Sequence, residues 1–234
     1  MHRALLAIET ATEACSAALR VGDLLIERSE IAPRRHAELI LPMIESLLAE
    51  AGLRRRDLAG IAVGRGPGAF TGVRLAISIA QGLALGLDLT VVPVSSLAAL
   101  ALDAPAQHGA DGAILAVIDA RMGEVYAGTF RRSSDGLVEP IGPESVGRAE
   151  NLALPDSPCW SVVGTGWDAY REPLLARLTS APEFADGARY PRAHAILRLA
   201  QAQFARGAGL APELALPVYL RDKVALTLEE QRAR

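Results

Sequence analysis

Two acidic residues occupy matching positions in the sequence, each directly after a short apolar run. Glu9 follows residues 5–8 and Asp119 follows residues 113–118, so the two acids are 110 residues apart. Carboxylates that end two such strands are placed to hold a metal-bound nucleotide phosphate between the halves of a two-lobed molecule. Acids at strand ends also pair with arginine or cap turns, and the sequence leaves both interpretations open.

A glycine-rich segment, GRGPGAFTGVR at residues 64–74, lies between a predicted strand and a predicted helix. Glycines permit tight turns, and the free amides at the start of a helix bind anions. The segment is not a Walker loop, because no Gly-Lys-Ser/Thr follows, and Ala69 stands where a dinucleotide fingerprint needs its third glycine. A structural turn and a nucleotide or anion contact both fit this pattern. The anion contact would draw on the glycine-rich segment and the two strand ends, namely Glu9, Thr10, Gly66, Gly68, Thr71, Gly72, Arg74 and Asp119.

The sequence offers few residues at spacings that would bind a metal ion. The sequence has four histidines, at His2, His36, His108 and His194. None of them has a second histidine three to five positions away. His36 stands just before the first long predicted helix and is expected to cap it or to lie on the surface. Cys15 reads as an inert core thiol, and with Cys159 as the only other cysteine a reducing compartment is favoured over a disulfide scaffold. We predict neither a metal nor a cofactor of the chain's own.

The composition narrows the class of protein. Of 234 residues, 50% are hydrophobic and 22% charged, which is typical of a globular chain of one or two domains. A net charge of −3 disfavours a protein that binds nucleic acid through its own electrostatic field. With 4% aromatic residues, a protein that binds single-stranded RNA alone by base stacking is also disfavoured. The only lysine, Lys223, excludes a P-loop or a Schiff base elsewhere. The longest uncharged stretches, residues 75–87 and 89–102, are shorter than the roughly 20 residues of a membrane span, so we expect a soluble, cytoplasmic protein without membrane association.

The predicted elements that position these residues repeat along the chain. The first half reads as strands at residues 5–8, 15–19, 24–26, 60–64 and 90–94, and helices at residues 38–51, 72–87 and after Ser95 or Ser96. The second half reads as strands at residues 113–118, 125–130, 137–141 and 161–163, and helices from Asp168 and at residues 194–205. The repeat predicts an α/β fold of two lobes, residues 1–104 and a reduced 105–234, with a C-terminal tail free to pack on the first lobe.

The two long helices of the first half are apolar over wide arcs. A helix that is apolar nearly all round has to be covered on both sides. One interpretation is burial within this chain, and the other is a face shared with a partner in a helix bundle. We predict that the partner face comprises Leu39, Ile40, Met43, Ile44, Leu47, Val73, Ile77, Ala80 and Leu83.

Four blocks of the sequence resemble the TsaB (YeaZ) family, whose members are paralogues of TsaD. They are AIETATEACS at residues 7–16, HAE and LPMI within residues 36–44, the stretch 64–82, and PVYLR at residues 217–221. The resemblance covers nearly the whole chain. It implies two tandem RNase H-like lobes of the actin, Hsp70 and sugar-kinase (ASKHA) type.

The resemblance also implies a function. Such proteins take part in forming N6-threonylcarbamoyladenosine beside the tRNA anticodon, where TsaD transfers the group and TsaE is an ATPase. The family member binds TsaD as a heterodimer, or a second copy when alone, and meets tRNA only through the complex. An ATP or ADP contact would arise within that assembly. TsaD uses a His-x-x-x-His metal pair that this sequence lacks, which implies a non-catalytic subunit.

Two other functions stay open from the residues. An independent small-molecule kinase or nucleotide hydrolase would need Glu9 and Asp119 to face one cleft. A metallopeptidase, suggested by the older glycoprotease (M22) label of the group, would need a bound metal, and no residues in the sequence support hydrolysis.

Overall fold

A first five-stranded sheet is built by the N-terminal half of the chain. The structure, a computed structural model, describes residues 4–105 and 112–221. The strands of this half and the helices between them are β1 (Ala4–Glu9), β2 (Ala14–Val21), β3 (Leu24–Ile31), α1 (His36–Glu50), β4 (Leu58–Gly64), α2 (Phe70–Leu87), β5 (Val91–Val94) and α3 (Ser96–Leu102). The strand order is β3-β2-β1-β4-β5, antiparallel from β3 to β1 and parallel from β1 to β5.

Helices cover both faces of this sheet, which explains why β1 is an almost unbroken apolar run. The buried residues of α1 and α2 pack in one core with Leu6 and Ile8 of β1. Alternate residues of the same strand, such as Ala7, join the opposite core with α3 and the last helix. Because successive side chains of a strand point to opposite faces, both sets must be apolar.

A second sheet repeats the first. Its strands and associated helices are β6 (Ala113–Arg121), β7 (Glu124–Arg132), β8 (Val138–Pro140), β9 (Ser145–Gly147), β10 (Trp160–Val163), α4 (Thr165–Ala169), α5 (Arg171–Leu175), β11 (Phe184–Asp186) and α6 (Ala193–Ala205). The order β11-β10-β6-β7-β8 has the same directions as the first sheet, and β9 also pairs with β7. The internal repeat predicted from the sequence is therefore confirmed.

The second lobe is the smaller one. In the first lobe the 15-residue α1 links β3 to β4, whereas here a 3-10 turn at Ala149–Asn151 stands before β10. The 18-residue α2 is matched by α4 and α5, of five residues each, which are separated at Tyr170. The helix predicted from Asp168 is thus two short ones.

The end of the described chain returns to the first lobe. Helix α6 packs on β1, β2, β4 and β5, and Ala215 is buried in the core beneath α1 and α2. Val91 and Leu210 exchange backbone hydrogen bonds, and the Val218 amide donates to the Arg65 carbonyl over 2.9 Å. Helix α6 and the tail up to Val218 thus contact the first sheet, although they follow the second lobe in the sequence. The sequence pattern after Pro217 predicts a final amphipathic segment, which falls largely outside the described residues.

The long helices differ from their predicted bounds at their first turns. Helix α1 begins at His36 and ends before Gly52, whose φ of +66° allows the chain to reverse there. Helix α2 begins at Phe70 and so includes Arg74, which makes it longer than the uncharged stretch in the sequence. Among the described residues it is the one helix long and apolar enough to cross a membrane by length and composition. Its inner side packs on β4.

Candidate functional site

Glu9 is the last residue of β1 and lies in the protein interior rather than in a cleft. Its side chain is fully buried, Ser96 Oγ donates to one carboxylate oxygen over 2.7 Å, and the Ala11 amide donates to the other over 2.6 Å. Burial raises the pKa of Glu9 to about 7 against the lowering effect of these hydrogen bonds. A Cβ at position 64 would collide with the carboxylate, so Gly64 is required for this placement.

Asp119 lies at the wall of the cleft between the lobes, two residues before the end of β6 rather than at its end as predicted. Its carboxylate accepts hydrogen bonds from the Arg121 amide over 2.8 Å and from the Arg121 guanidinium over 3.0 Å, with the Tyr170 hydroxyl 3.4 Å away. Glu9 does not line this cleft. The structure therefore does not bring the two acids together in one site.

The glycine-rich segment packs directly on the turn between β1 and β2. Ala69 N donates to the Ala11 carbonyl over 2.7 Å, and Thr10 Oγ1 donates to the Gly72 carbonyl over 2.7 Å. A Cβ at Gly68 or Gly72 would collide with the carbonyl oxygens of Ala11 or Thr10. These glycines serve a close approach of two backbone segments, which favours the structural-turn interpretation of the motif.

The cleft itself encloses a cavity of about 320 Å³. It is bounded by the β1–β2 turn, the glycine-rich loop, the β6–β7 hairpin and residues 218–221. Of the predicted anion-contact residues, only Gly68 and Asp119 line it. Its main cation, Arg121, is paired with Glu13 over 2.7 Å and with Asp119. The charges at this cavity are balanced within the chain and leave little excess positive charge for a phosphate.

The C-terminal segment 217–221 bridges the two lobes over this cleft, a role that sequence reasoning missed. Val218 is hydrogen-bonded to the first lobe, and Arg221 forms an ion pair with Glu124 of β7. The motif PVYLR was the sequence signal, but its residues were absent from the predicted site.

Arg74 lies between two aromatic rings at the start of α2. Its guanidinium carbon stands 3.5 Å above the Phe70 ring centroid and 5.3 Å from that of Tyr219. Its Nε also donates to the Tyr219 hydroxyl over 2.6 Å. Across residues 4–105 and 112–221, no ion pair joins Arg74 to a carboxylate, and the two aromatic rings hold its guanidinium instead. Phe70 and Tyr219 were not among the predicted residues.

Most of the predicted partner-interface residues face inward. Six of the nine are at most 4% exposed because they pack on the chain's own sheet: Ile40, Ile44, Leu47, Val73, Ile77 and Ala80. Residues without exposed surface cannot contact a partner in this fold, which corrects their assignment. The remaining three, Leu39, Met43 and Leu83, are half-buried at the flanks of the helices.

The outward face of α2 is nearly uncharged. The exposed positions Thr71, Arg74, Ser78, Gly82, Leu85 and Gly86 lie on one side of the helix, and Arg74 is the only charged residue in α2. Leu85 is 75% exposed, and a Cβ at Gly82 or Gly86 would meet no atom within 4 Å. We call these six positions the outer face of α2.

The histidines do not assemble a metal site. Within the part of the chain that the structure describes, no three His, Cys, Asp or Glu side chains form a group able to hold a metal ion. His36 begins α1 with its Nε2 buried and unpaired, rather than capping the helix. His194 instead contacts Glu27 and Asp103 at the start of α6. His2 and His108 lie outside the described residues.

Comparison with known proteins agrees with this architecture. The family model described as "TsaD: tRNA N6-adenosine threonylcarbamoyltransferase" matches residues 28–227. The TsaB proteins of Escherichia coli K12 and Haemophilus influenzae, both called tRNA threonylcarbamoyladenosine biosynthesis proteins, are 43% and 39% identical. The alignments cover 94% of this chain in both cases, and 96% and 94% of the relatives.

Solved structures give the same result. YeaZ from Pseudomonas aeruginosa is 44% identical with a TM-score of 0.84 over 93% of this chain and all of that one. A P. aeruginosa protein described as similar to the peptidase YeaZ is 43% identical with a TM-score of 0.85, over 94% of this chain and all of its own. With two lobes of the actin, Hsp70 and sugar-kinase type, a sealed Glu9 and these relatives, the chain belongs to the TsaB (YeaZ) family, within the wider family of the TsaD model.

Proposed function

We propose that this chain is a non-catalytic subunit in tRNA threonylcarbamoyladenosine biosynthesis that binds and stabilises TsaD in the cytoplasm. The names of the relatives support the pathway. In this proposal TsaE joins the pair, tRNA is met only through the complex, and ATP or ADP contacts the chain only within the assembly. A second copy occupies the same face when TsaD is absent.

The observation that carries the proposal is the outer face of α2. Glycine in the middle of a helix costs about 0.5–1 kcal/mol relative to alanine, and no atom of residues 4–105 or 112–221 fills the space beside Gly82 and Gly86. Small residues let another helix approach closely, and an exposed, nearly uncharged surface is typical of an interface. A partner helix packed on this face accounts for both features.

The complete burial of Glu9 supports a subunit that catalyses no reaction of its own. A kinase or nucleotide hydrolase acting between the lobes needs acids that reach a metal-bound phosphate. Here Glu9 is fully buried, and the backbone of the glycine-rich loop occupies the space beside the β1–β2 turn. Mg-ATP binding with turnover by the purified chain, measured by calorimetry and phosphate release, would favour the kinase or hydrolase instead.

The test is a substitution that fills the open space on α2. Gly82→Arg adds a long side chain where the monomer has room, so its thermal unfolding should match that of the wild type within a few degrees. Its affinity for TsaD, measured by calorimetry, should fall at least about a hundredfold because the helices can no longer approach. Ala202→Arg, which adds the same side chain at an exposed position of α6, is the matched control and should bind normally. Wild-type affinity in Gly82→Arg would refute the proposed face.

A further inference from the structure

A single positive charge stands on the otherwise uncharged outer face of α2. Arg74 is the fifth residue of the helix. Its side chain lies toward the N-terminus, as helix side chains do, where the helix dipole disfavours a cation. In the described parts of the chain no carboxylate is paired with it, whereas nearby arginines such as Arg65 and Arg121 have acidic partners. Its placement has a local cost that no ion pair among the described residues offsets.

The chain holds this guanidinium in one orientation. The Phe70 ring stacks on it at 3.5 Å, and the Tyr219 hydroxyl accepts a hydrogen bond from Nε. The two rings are 5.8 Å apart and are each about half exposed, at 41% and 48%. No partner is recorded for the two terminal nitrogens in residues 4–105 and 112–221, which leaves the guanidinium edge for an outside acceptor. Arginine with aromatic neighbours is the composition typical of interface hot spots.

A partner that covers the outer face of α2 also removes water from around the Arg74 guanidinium. A cation at the edge of a covered face loses part of its hydration on binding, which is unfavourable unless an opposite charge meets it, and a planar guanidinium matches a carboxylate with two parallel hydrogen bonds. We infer that the partner's surface carries an aspartate or glutamate that pairs with Arg74, and that Phe70 and Tyr219 are positioning residues for this contact. The inference rests on the proposed function, because it assumes that TsaD covers the outer face of α2.

The test measures TsaD affinity against salt. Arg74→Gln should weaken binding at least about tenfold at roughly 0.05 M sodium chloride, and less at about 0.5 M, because salt screens the charge pair at its rim. Arg74→Lys, which keeps the charge but loses the planar fork and the stacking, should recover only part of the loss. Tyr219→Phe, which keeps the ring and loses the hydrogen bond, should weaken binding by a smaller factor. Arg206→Gln, an exposed arginine at the end of α6, is the control and should bind normally.

The two proposals fail separately in this experiment. If Arg74→Gln binds TsaD like the wild type while Gly82→Arg does not, the charge pair is wrong and the interface stands. If Arg74→Gln changes only the self-association of the chain, measured by sedimentation, the carboxylate belongs to a second copy and the inference about TsaD is overturned. If Gly82→Arg also binds normally, both proposals fall. Unchanged thermal unfolding of each variant shows that folding is not the cause.

Discussion

Glu9 is a buried acid, and no described residue places an opposite charge beside it. Its two hydrogen bonds satisfy the carboxylate, yet burial still raises its pKa from an ordinary value of 4.5 to about 7. Between pH 4.5 and pH 7, Glu9 is therefore mostly protonated in the folded protein and mostly ionised in the unfolded chain. This stabilising contribution is fully present below pH 4.5 and is lost as the pH rises through 7.

Replacing Glu9 by glutamine removes this titration; the amide oxygen can still accept from the Ala11 amide, and the amide nitrogen can donate to Ser96 Oγ, which reverses the direction of that hydrogen bond. At pH 8 the variant should be more stable than the wild type by on the order of 2–3 kcal/mol, since it avoids a buried charge, and at pH 4.5 the two should be similar. Urea unfolding across this pH range measures the difference. Glu139→Gln, at an exposed position of β8, should leave the pH dependence unchanged, and a Glu9→Gln variant with the wild-type pH dependence would show that Glu9 is not buried as described.

His194 is a base rather than an acid, but its pKa is also raised in the folded protein, so it too stabilises the fold more at low pH. Hydrogen bonds with Asp103 and Glu27 raise its pKa from 6.5 to about 9 despite its partial burial. Its contribution to stability is therefore fully present below pH 6.5 and is lost as the pH rises through 9.

We expect His194→Gln to lower the melting temperature clearly at pH 6 and only slightly at pH 10. The reason is that glutamine keeps a hydrogen-bonding group but cannot carry the positive charge that the two carboxylates stabilise. Thermal unfolding at the two pH values checks this, and an NMR titration of His194 with a midpoint near 6.5 would contradict it.

At the scale of elements, α1 and α2 each have one side in the core and one side in solvent. Leu47 of α1 is fully buried, and Met43, one turn earlier, is half-buried. Which part of an apolar helix faces inward decides whether a substitution affects folding or binding.

This difference predicts contrasting effects for one substitution at two neighbouring sites. Leu47→Asp should unfold the chain, because it buries a charge and opens a cavity at a cost of at least about 4 kcal/mol. Met43→Asp should remain folded, since its side chain can reach water. Circular dichroism and urea unfolding of the two variants distinguish them, and equal losses of stability would show that α1 is oriented differently.

Gly82 lies at the centre of the proposed partner face, where we expect one substitution to change helix stability and partner binding in opposite directions. Gly82→Ala should stabilise the isolated chain by about 0.5–1 kcal/mol, because the added methyl group meets no atom and alanine favours the helix. The same variant should bind TsaD more weakly, since the close approach of helices is lost. Unfolding of the monomer and calorimetry with TsaD measure both effects, and tighter binding by the variant would argue against helix packing at this position.

The sequence predicted where the strands and helices lie better than it predicted which of their side chains face inward. Apolar periodicity located nearly every strand and helix, and the 110-residue spacing of Glu9 and Asp119 indicated the duplicated lobe. The inward side of α2 was not predictable, because a helix apolar over most of its circumference has no clear hydrophobic direction. The burial of Glu9 depends on Gly64 and Ser96, far away in sequence, so no local pattern reveals it.

At the scale of the whole molecule, the last described residues hold the two lobes together. Helix α6 packs on the first sheet, and the segment 217–221 continues across the cleft to Glu124 of the second lobe. An ion pair between Arg121 and Glu13 also joins the lobes at the cleft. This arrangement fills the cleft with paired charges and leaves the outer face of α2 exposed, where we propose that the partner binds.

The most direct test of this account is the amount of N6-threonylcarbamoyladenosine formed on tRNA with TsaD and TsaE held constant. We predict that the wild-type chain and Ala202→Arg restore modification and that omission of the chain or Gly82→Arg prevents it. Full modification with Gly82→Arg, or without the chain, would contradict a role as the subunit that binds TsaD through α2.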